Sequence, residues 1–348
     1  MLLTNKLWVR VLVLPLALAS VLFARSIGLA GTNGAALYSE AVEADDHVSY
    51  YATLTSVVYE SDHAASTVAR IEHQAPHSWR LWYMAPADAY GRLIVSNEQQ
   101  TYQYEPKLNR VISHDWNASA PGVAQPVDVS VVLKNYNVEV GSASSIAGRA
   151  THSLSLVSRY TGNVVQRVWV DDKTRLILRL ENYNGDGEVT MHTSFDSIRV
   201  GGDFPPELFA LEVPKGMTLV RGFDYGQSTL NTTDLLKAAN FQFAEPKYLP
   251  DGFALVSGSV AMRNGVQTIQ LVYGDGLRTF SLFENATGRL PSFDEATPKP
   301  IQVGSASAEY ADIEGKTLVS WNDGGLNLTI VGDLSEKESA TIGASIHP

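Results

Sequence analysis

The sequence predicts a mainly β protein whose C-terminal third is a smaller α+β unit. Three observations carry this. Segments rich in Val, Tyr and Thr recur from Val48 to Val200, each bounded by Pro, Gly, Asn or charged residues. Helical periodicity is confined to short stretches. Beyond Phe223–Asn231, which is polar and aperiodic, further strands are bracketed by two short amphipathic helices.

The elements follow in order. Leu37–Asp46 reads as a short helix, with Ala36, Leu37, Ala41, Val42 and Ala44 as its apolar stripe. Val48–Tyr59 begins an antiparallel meander. It continues through Thr67–Ala75, Ser78–Met84, Arg92–Ser96, Thr101–Tyr104 and Arg110–Ser113. Asn117–Gln125, with Pro121 and Gly122, reads as a loop, and Val127–Asn135 as a short helix packing through Val129, Val132 and Leu133. Four strands follow: Gly148–Ser158, Val164–Asp171, Arg175–Tyr183 and Glu188–Val200. Their turns are Thr161-Gly162-Asn163, Asp172-Lys173-Thr174 and Asn184-Gly185-Asp186-Gly187. So many strands with so little helix imply one large, strongly curved sheet.

The domain boundary is placed at residues 223–232. Residues 36–222 form the first unit and 233–348 the second. In the second, Thr233–Asn240 reads as a helix with Thr233 as N-cap and Leu235, Leu236 and Ala239 inward. Strands are expected at Phe253–Met262, Val266–Tyr273, Arg278–Glu284, Ile301–Val303, Ala306–Ile313, Lys316–Asn322 and Leu326–Val331. Ser335 and Glu338 form a capping box for a last helix reaching Ile346.

The N-terminus carries an export signal. Lys6 and Arg10 precede the apolar run Val11–Phe23, and Gly28-Leu29-Ala30 offers small residues for signal peptidase, so residues 1–30 read as a signal peptide. An uncleaved anchor is the alternative, although the run falls short of the roughly 20 residues that span a bilayer. The expected location is the periplasm or extracytoplasmic envelope. The 348 residues suffice for two cores, and the net charge of −11, with no basic run, argues against nucleic acid. The absence of cysteine excludes thiolate metal sites, thiol nucleophiles, disulfides and N-terminal lipidation through Cys.

No catalytic constellation emerges. His73 and His77 are separated by Pro76, and no HExxH occurs, so the histidines read as solvated or edge residues. Asp171 and Asp172 read as turn residues, and Asn184–Gly187 lacks the further acids of a calcium loop. There is no GxSxG, P-loop or dinucleotide fingerprint, and Gly274-Asp275-Gly276 reads as a hairpin turn. No cofactor, metal or enzymatic activity is expected. The sequons at Asn117, Asn231, Asn285 and Asn327 matter only where exports are glycosylated.

The aromatics suggest binding. Trp79, Leu81 and Tyr83 share one face of a strand, and Trp82 and Met84 share the other with Arg80. A sheet wet on one side would alternate with polar residues, so one face meets a core and the other a helix, a partner or a ligand. Trp79, Leu81 and Tyr83 are the candidate wall of an apolar cavity, with Trp82 and Met84 the alternative. A one-residue register shift exchanges the sets.

Several segments resemble the MucB/RseB family of extracytoplasmic regulators of anti-sigma factors. Tyr248-Leu249-Pro250-Asp251-Gly252-Phe253 is similar to that family's approach to a strand. Leu271 to Leu277 with Phe280-Ser281-Leu282-Phe283 resembles its hairpin, with Gly274 in place of Ser. Gly148-Arg149-Ala150, Trp169-Val170-Asp171 and Leu176-Ile177-Leu178-Arg179 resemble its first domain. Pro206-Glu207-Leu208-Phe209 and Val213-Pro214-Lys215-Gly216 resemble the end of the related LolA-like lipoprotein-carrier domain. The end Leu326–Ser335 also resembles small domains of other exported proteins. The resemblance implies a half-open antiparallel β-barrel with a helical plug, then a small α+β domain. It implies binding of an anti-sigma factor's extracytoplasmic segment, with release by lipid or lipopolysaccharide. A carrier of lipid or of a lipoprotein acyl chain is the alternative.

Overall fold

The computed structural model describes residues 33–59, 64–97, 99–115, 128–184, 187–221, 232–263, 265–286, 298–313 and 315–347. The expected signal segment, the loop around Pro121 and the boundary Phe223–Asn231 lie outside them.

The chain builds two sheets. The first holds β1 (Tyr50–Tyr59), β2 (Ala64–Gln74), β3 (Ser78–Ala85), β4 (Leu93–Ser96), β5 (Gln100–Glu105), β6 (Arg110–Asp115), β7 (Tyr136–Ile146), β8 (Arg149–Ser158), β9 (Val164–Asp171), β10 (Ile177–Tyr183), β11 (Val189–Val200) and β12 (Thr218–Arg221). Their order is β12-β6-β5-β4-β3-β2-β1-β11-β10-β9-β8-β7, so β1 and β11 zip two meanders together and the sheet stays open at β12 and β7. The neighbours pair antiparallel except β12 with β6, which is parallel.

Two helices plug the inner face. α1 (Gly34–Val42) is capped by Asn33, whose side chain accepts from the Ala35 N–H at 3.1 Å. A 3₁₀ turn at Ala44–Asp46 follows where a continuous helix was expected. α2 (Val129–Asn135) is capped by Asp128. Leu37, Tyr38, Ala41 and Val42 of α1 and Val132 of α2 bury against Leu154, Leu156, Val168, Val170, Leu180 and Met191.

β7 was not expected. Its sequence, Gly141-Ser142-Ala143-Ser144-Ser145 at the centre, lacks the branched and aromatic residues that mark a strand. It is an edge strand, mostly exposed, so burial imposes no alternation on it.

The second sheet comprises β13 (Ala254–Arg263), β14 (Val266–Gly274), β15 (Thr279–Asn285), β16 (Lys299–Val303), β17 (Ala306–Ile313), β18 (Lys316–Asp323) and β19 (Leu326–Gly332), ordered β13-β14-β15-β19-β18-β17-β16. α3 (Thr232–Ala238) inserts Leu235 into its core and α4 (Glu336–Ala344) inserts Ile342. Thr233 lies inside the first turn of α3 rather than at its cap, because the helix starts a residue earlier. The Ser335–Glu338 capping box forms as expected.

The sheets meet through the β14–β15 hairpin. Leu277 packs against the core beneath α1 and α2. Asn135 Nδ2 donates to the Gly252 carbonyl at 3.1 Å and to the Asp275 carbonyl at 2.8 Å, and Tyr136 Oη donates to Asp275 Oδ2 at 2.7 Å. Gly276 has φ +102°, and a Cβ there would lie 2.9 Å from the Val132 nitrogen; only glycine permits so close an approach.

Candidate inner-face binding site

Register alone sets the candidate wall. Across β1, β2 and β3 the pairs Leu54–Ala69–Tyr83, Ala52–Ile71–Leu81 and Tyr50–His73–Trp79 stand side by side, so all nine residues share the inner face. Ala52 and Ala69 leave room for the Tyr50 and Tyr83 rings. Leu81 and Tyr83 have no exposed surface. They sit in a filled core with Tyr50, Leu54, Ile71, Leu176, Leu178 and Phe195, closed by Ala44 of the 3₁₀ turn, Ala89 and Ile146. Trp79 is half-buried against the same core. A ligand reaches Leu81 and Tyr83 only if this cover, which includes Ala44 just beyond α1, moves.

Trp82 and Met84 are half-buried. Trp82 belongs to the outer face, paired with Arg70, whose guanidinium carbon lies 4.9 Å from the ring centre. The two candidate sets therefore differ: Leu81 and Tyr83 are core with Trp79 packed against it, and Trp82 is surface beside the Arg70 guanidinium.

The inner face also holds a polar cluster that the sequence reading missed. His73 is buried, not solvated, because it shares the Ile71 face of β2 two residues on. Its Nε2 is 2.6 Å from the Asp45 carbonyl oxygen, and its ring lies 5.1 Å from that of Tyr50. Asp45 is buried, which pushes its carboxyl above the usual range against the opposing pull of His73 and a hydrogen bond from Tyr50. Its Oδ1 has no hydrogen-bond partner among the described residues. Burial, followed by the charge and hydrogen bond of Asp45, pushes the Tyr50 hydroxyl well up. The plug is thus seated on a carboxyl that burial disfavours. The signal for this contact is a spacing of 28 residues between Asp45 and His73, which no local pattern reveals.

The turn expected at Asp171 forms. Asp171 is a turn residue: its Oδ2 accepts from the Thr174 N–H and hydroxyl at 2.7 Å, and both carboxyl oxygens accept from Arg149 at 2.9 and 2.8 Å. Those bonds outweigh burial and hold its carboxyl below the ordinary range. Among the described residues no cluster of three or more His, Asp or Glu is arranged to hold a metal.

Comparison with known proteins places this architecture. The model of the MucB/RseB N-terminal domain matches residues 34–213, and a domain of unknown function, DUF4367, matches residues 244–346. An uncharacterized protein of Methanocaldococcus jannaschii is 21% identical over 268 residues, covering 73% of this chain and 76% of its own length. The structure of the Pseudomonas aeruginosa MucA/MucB complex superimposes with a TM-score of 0.62 at 18% identity, covering 91% of this chain and 99% of that one. A structure of MucB in complex with MucA(peri) gives 0.60 at 16% identity, covering 90% and 98%.

Proposed function

The chain belongs to the MucB/RseB family, and on that footing we propose that it is an exported, non-catalytic binding protein that holds the extracytoplasmic segment of an anti-sigma factor. The observation that carries this is the reach of the structural likeness. It runs through both sheets of proteins seen bound to MucA, and not through the first sheet alone. A carrier of lipid needs one sheet and its plug. A second sheet pinned by Asn135, Tyr136 and Leu277 adds surface for a protein partner. The export signal at residues 1–30 puts the protein on the same side of the membrane as such a segment.

The test is direct binding. The full mature chain is titrated with the purified extracytoplasmic segment of each membrane-spanning anti-sigma factor of the source genome. Saturable binding to one of them is the expected result, and failure with all of them overturns the reading. N-terminal sequencing from the envelope fraction checks export, with a first residue near Gly31 expected; an intact Met1 in the cytoplasm would reject it.

A second reading concerns release by lipid. The unpartnered Asp45 oxygen favours it, because moving the plug would hydrate that carboxyl while exposing Trp79, Leu81 and Tyr83 to an acyl chain. Burial of apolar surface yields about 25 cal/mol per Å², so a modest length of chain offsets several kcal/mol of opening cost. Thermal melts with and without fatty acid, phospholipid or lipopolysaccharide test it. No shift with any of them would exclude the cavity.

A further inference from the structure

We propose that the outer face of the first sheet is the docking surface for an acidic, extended peptide segment. This rests on the reading of the protein as a holder of an exported segment, and it names the surface and the chemistry.

Strands β1, β2, β3, β8, β9, β10 and β11 carry six arginines, Arg70, Arg80, Arg149, Arg167, Arg179 and Arg199, and no lysine. Strand alternation puts all six on the face away from the plug. Arg70 pairs with Trp82 and Thr53, Arg80 with Glu72, Arg199 with Tyr51, Arg179 with Trp169 and Ser194, and Arg167 with Glu181 and Ser155. Arg149 is two residues from Thr151, which faces outward beside Asp171. In a chain of net charge −11 this is a marked segregation of cations.

The guanidiniums are fixed in place. Arg179 lies 4.5 Å from the Trp169 ring centre, Arg199 4.5 Å from Tyr51, Arg70 4.9 Å from Trp82 and Arg167 5.6 Å from Tyr183. Each ring holds its guanidinium in place; Arg70 engages Glu72 through Nε, Arg167 engages Ser155 through Nε and Arg179 engages Glu181 through one Nη, and the remaining N–H donors of the fork can meet a carboxylate. The carboxylates of the face sit beneath this layer. Glu72, Asp171 and Glu181 are buried under Arg70 and Arg80, Arg149, and Arg179. Asp196 is the exposed acid on these strands, and Thr55 Oγ1 donates to it at 2.8 Å. Between the two arginine groups lies a floor of Thr53, Thr55, Ser194 and Ser197, small hydroxyl residues over which a peptide backbone can pass.

This pattern selects a peptide rather than a membrane. The cations are all arginine, the residue suited to discrete, directional carboxylate pairs, and they stand at fixed positions. Three strand-to-strand steps separate Arg179 on β10 from Arg70 on β2, roughly 14 Å. An extended peptide advances about 3.4 Å per residue, so acids four residues apart reach both. Among the described residues the contacts of the second sheet run through Asn135 and Tyr136, Leu277 on the core beneath the plug, Gly252 beside Tyr160 and Gly315 beside Val58, and none of these is one of the six arginines. The strip 203–217 covers the β4–β6 end through Phe209 and reaches β1, where Phe204 stacks on Tyr51 at 4.4 Å and Tyr51 Oη donates to the Asp203 carbonyl at 3.0 Å; the arginines of β2, β9 and β10 lie beyond it.

The variant Arg70→Gln/Arg179→Gln tests the proposal in the full mature chain. Glu72 keeps Arg80 at 2.9 Å, and Glu181 keeps the Tyr183 hydroxyl at 2.5 Å, so no buried carboxylate is stranded. Three probes are titrated: the anti-sigma segment, a fluorescent nonapeptide with Glu at every fourth position and Ser or Gly elsewhere, and phosphatidylglycerol vesicles. Expected is about tenfold weaker binding of both peptides with a shallower salt dependence and a melt that stays cooperative. Arg199→Gln, which touches no buried acid, should weaken both in the same direction. Wild-type failure with the nonapeptide, or variant affinity within about twofold of wild type for the peptides, overturns the proposal. Loss confined to the vesicles also overturns it, in favour of a membrane contact. Wild-type failure with every anti-sigma segment, but arginine-dependent binding of the nonapeptide, sinks the functional reading and leaves the acidic-peptide surface standing.

Discussion

The two faces of the first sheet are built from the same strands and do opposite work. Leu81 and Trp82 are neighbours on β3. Leu81 points into a core with no exposed surface, and Trp82 points out beneath the Arg70 guanidinium. On the inner face, specificity comes from volume: Ala52 and Ala69 are small because Tyr50 and Tyr83 are large. On the outer face, it comes from charge held in register by aromatic rings. An apolar residue in a strand therefore says little about which face it serves until the register is known.

The sharpest way to break this comparison is to put the same charge on both faces. Leu81→Glu places an unpaired carboxylate in a filled core, a cost of about 5 kcal/mol or more, comparable to the whole stability of a domain. The expected outcome is loss of the cooperative melt. Trp82→Glu loses one cation–π contact and gains proximity to Arg70, so a change of about 1–2 kcal/mol is expected, read by urea denaturation. If Leu81→Glu instead melts like wild type but fails to shift with lipid, the inner face is a ligand wall and the plug is open in solution.

Next in size is the junction, where the second sheet takes hold of the inner side. Asp275 is buried, accepts from Tyr136 Oη at 2.7 Å and from Arg278 Nε at 3.2 Å, and shares Asn135 with Gly252. Asp275→Ala strands the Tyr136 hydroxyl and leaves Arg278 with Glu338 alone, at 3.1 Å. A loss of about 3 kcal/mol is expected, with the single calorimetric transition splitting in two as the sheets uncouple. A unified transition with unchanged midpoint would show that Leu277 packing alone couples them.

How much of this was legible in the sequence follows the range of each interaction. Alternation in Ser78–Met84, the Ser335–Glu338 capping box and the turn at Asp171 are set within a few residues, and they read directly. β7 did not, since an exposed edge strand with Gly, Ser and Ala at its centre obeys no burial pattern. The Asp45–His73 contact did not, because a 3₁₀ turn and a strand meet only once the sheet has curled around α1. The outer arginines were half-legible. Arg80-Trp82 and Arg167-Trp169 share the i, i+2 spacing of a strand face, but their assembly into one surface needs the β1–β11 pairing, more than 130 residues apart. The hairpin Gly274-Asp275-Gly276 read as a turn and proved also to be the joint, for the same reason.

The comparison sharpens further between carboxylates of the two sheets. Glu284 lies on the core face of β15 with Phe280 and Leu282. Its Oε2 accepts from the Ala244 N–H at 3.1 Å, its Oε1 has no partner among the described residues, and Tyr273 and Glu245 are the titratable neighbours acting with it. Burial pushes its carboxyl up to about 8, with Glu245 adding to the rise against the Ala244 hydrogen bond. A raised folded value means that the unfolded chain releases this proton first. Stability is full below the unfolded value near 4.5, falls as pH rises toward 8, and is level beyond it. Glu284→Gln keeps an acceptor for Ala244 and removes the proton. The expected result is a gain of about 2 kcal/mol at pH 8 and a flattened pH profile, measured by urea denaturation from pH 4 to 9.

Glu181, on the outer face of β10, should behave with the opposite sign and a smaller amplitude. Burial raises its carboxyl, but the Tyr183 hydroxyl, Arg179 and His192 together hold it below the ordinary range. A lowered folded value gives stability that is present above the unfolded value near 4.5 and is lost as pH falls through the folded one. His192 adds to the same acid loss. Burial and then Arg179 lower its value from 6.5, so the unfolded chain takes up that proton first as the medium is acidified. Replacing Glu181 with Gln retains an acceptor for Tyr183 and removes the charge opposite Arg179. A loss of about 1 kcal/mol at pH 7, shrinking as the medium is acidified below the unfolded value, is expected in the same denaturation series. Arg179 would also be freed to swing off Trp169, so peptide affinity on the outer face should change with it while Leu81 stays sealed. A stability loss that grows on acidification would mean that Glu181 is protonated in the folded protein, and that Arg179 owes its position to Trp169 alone.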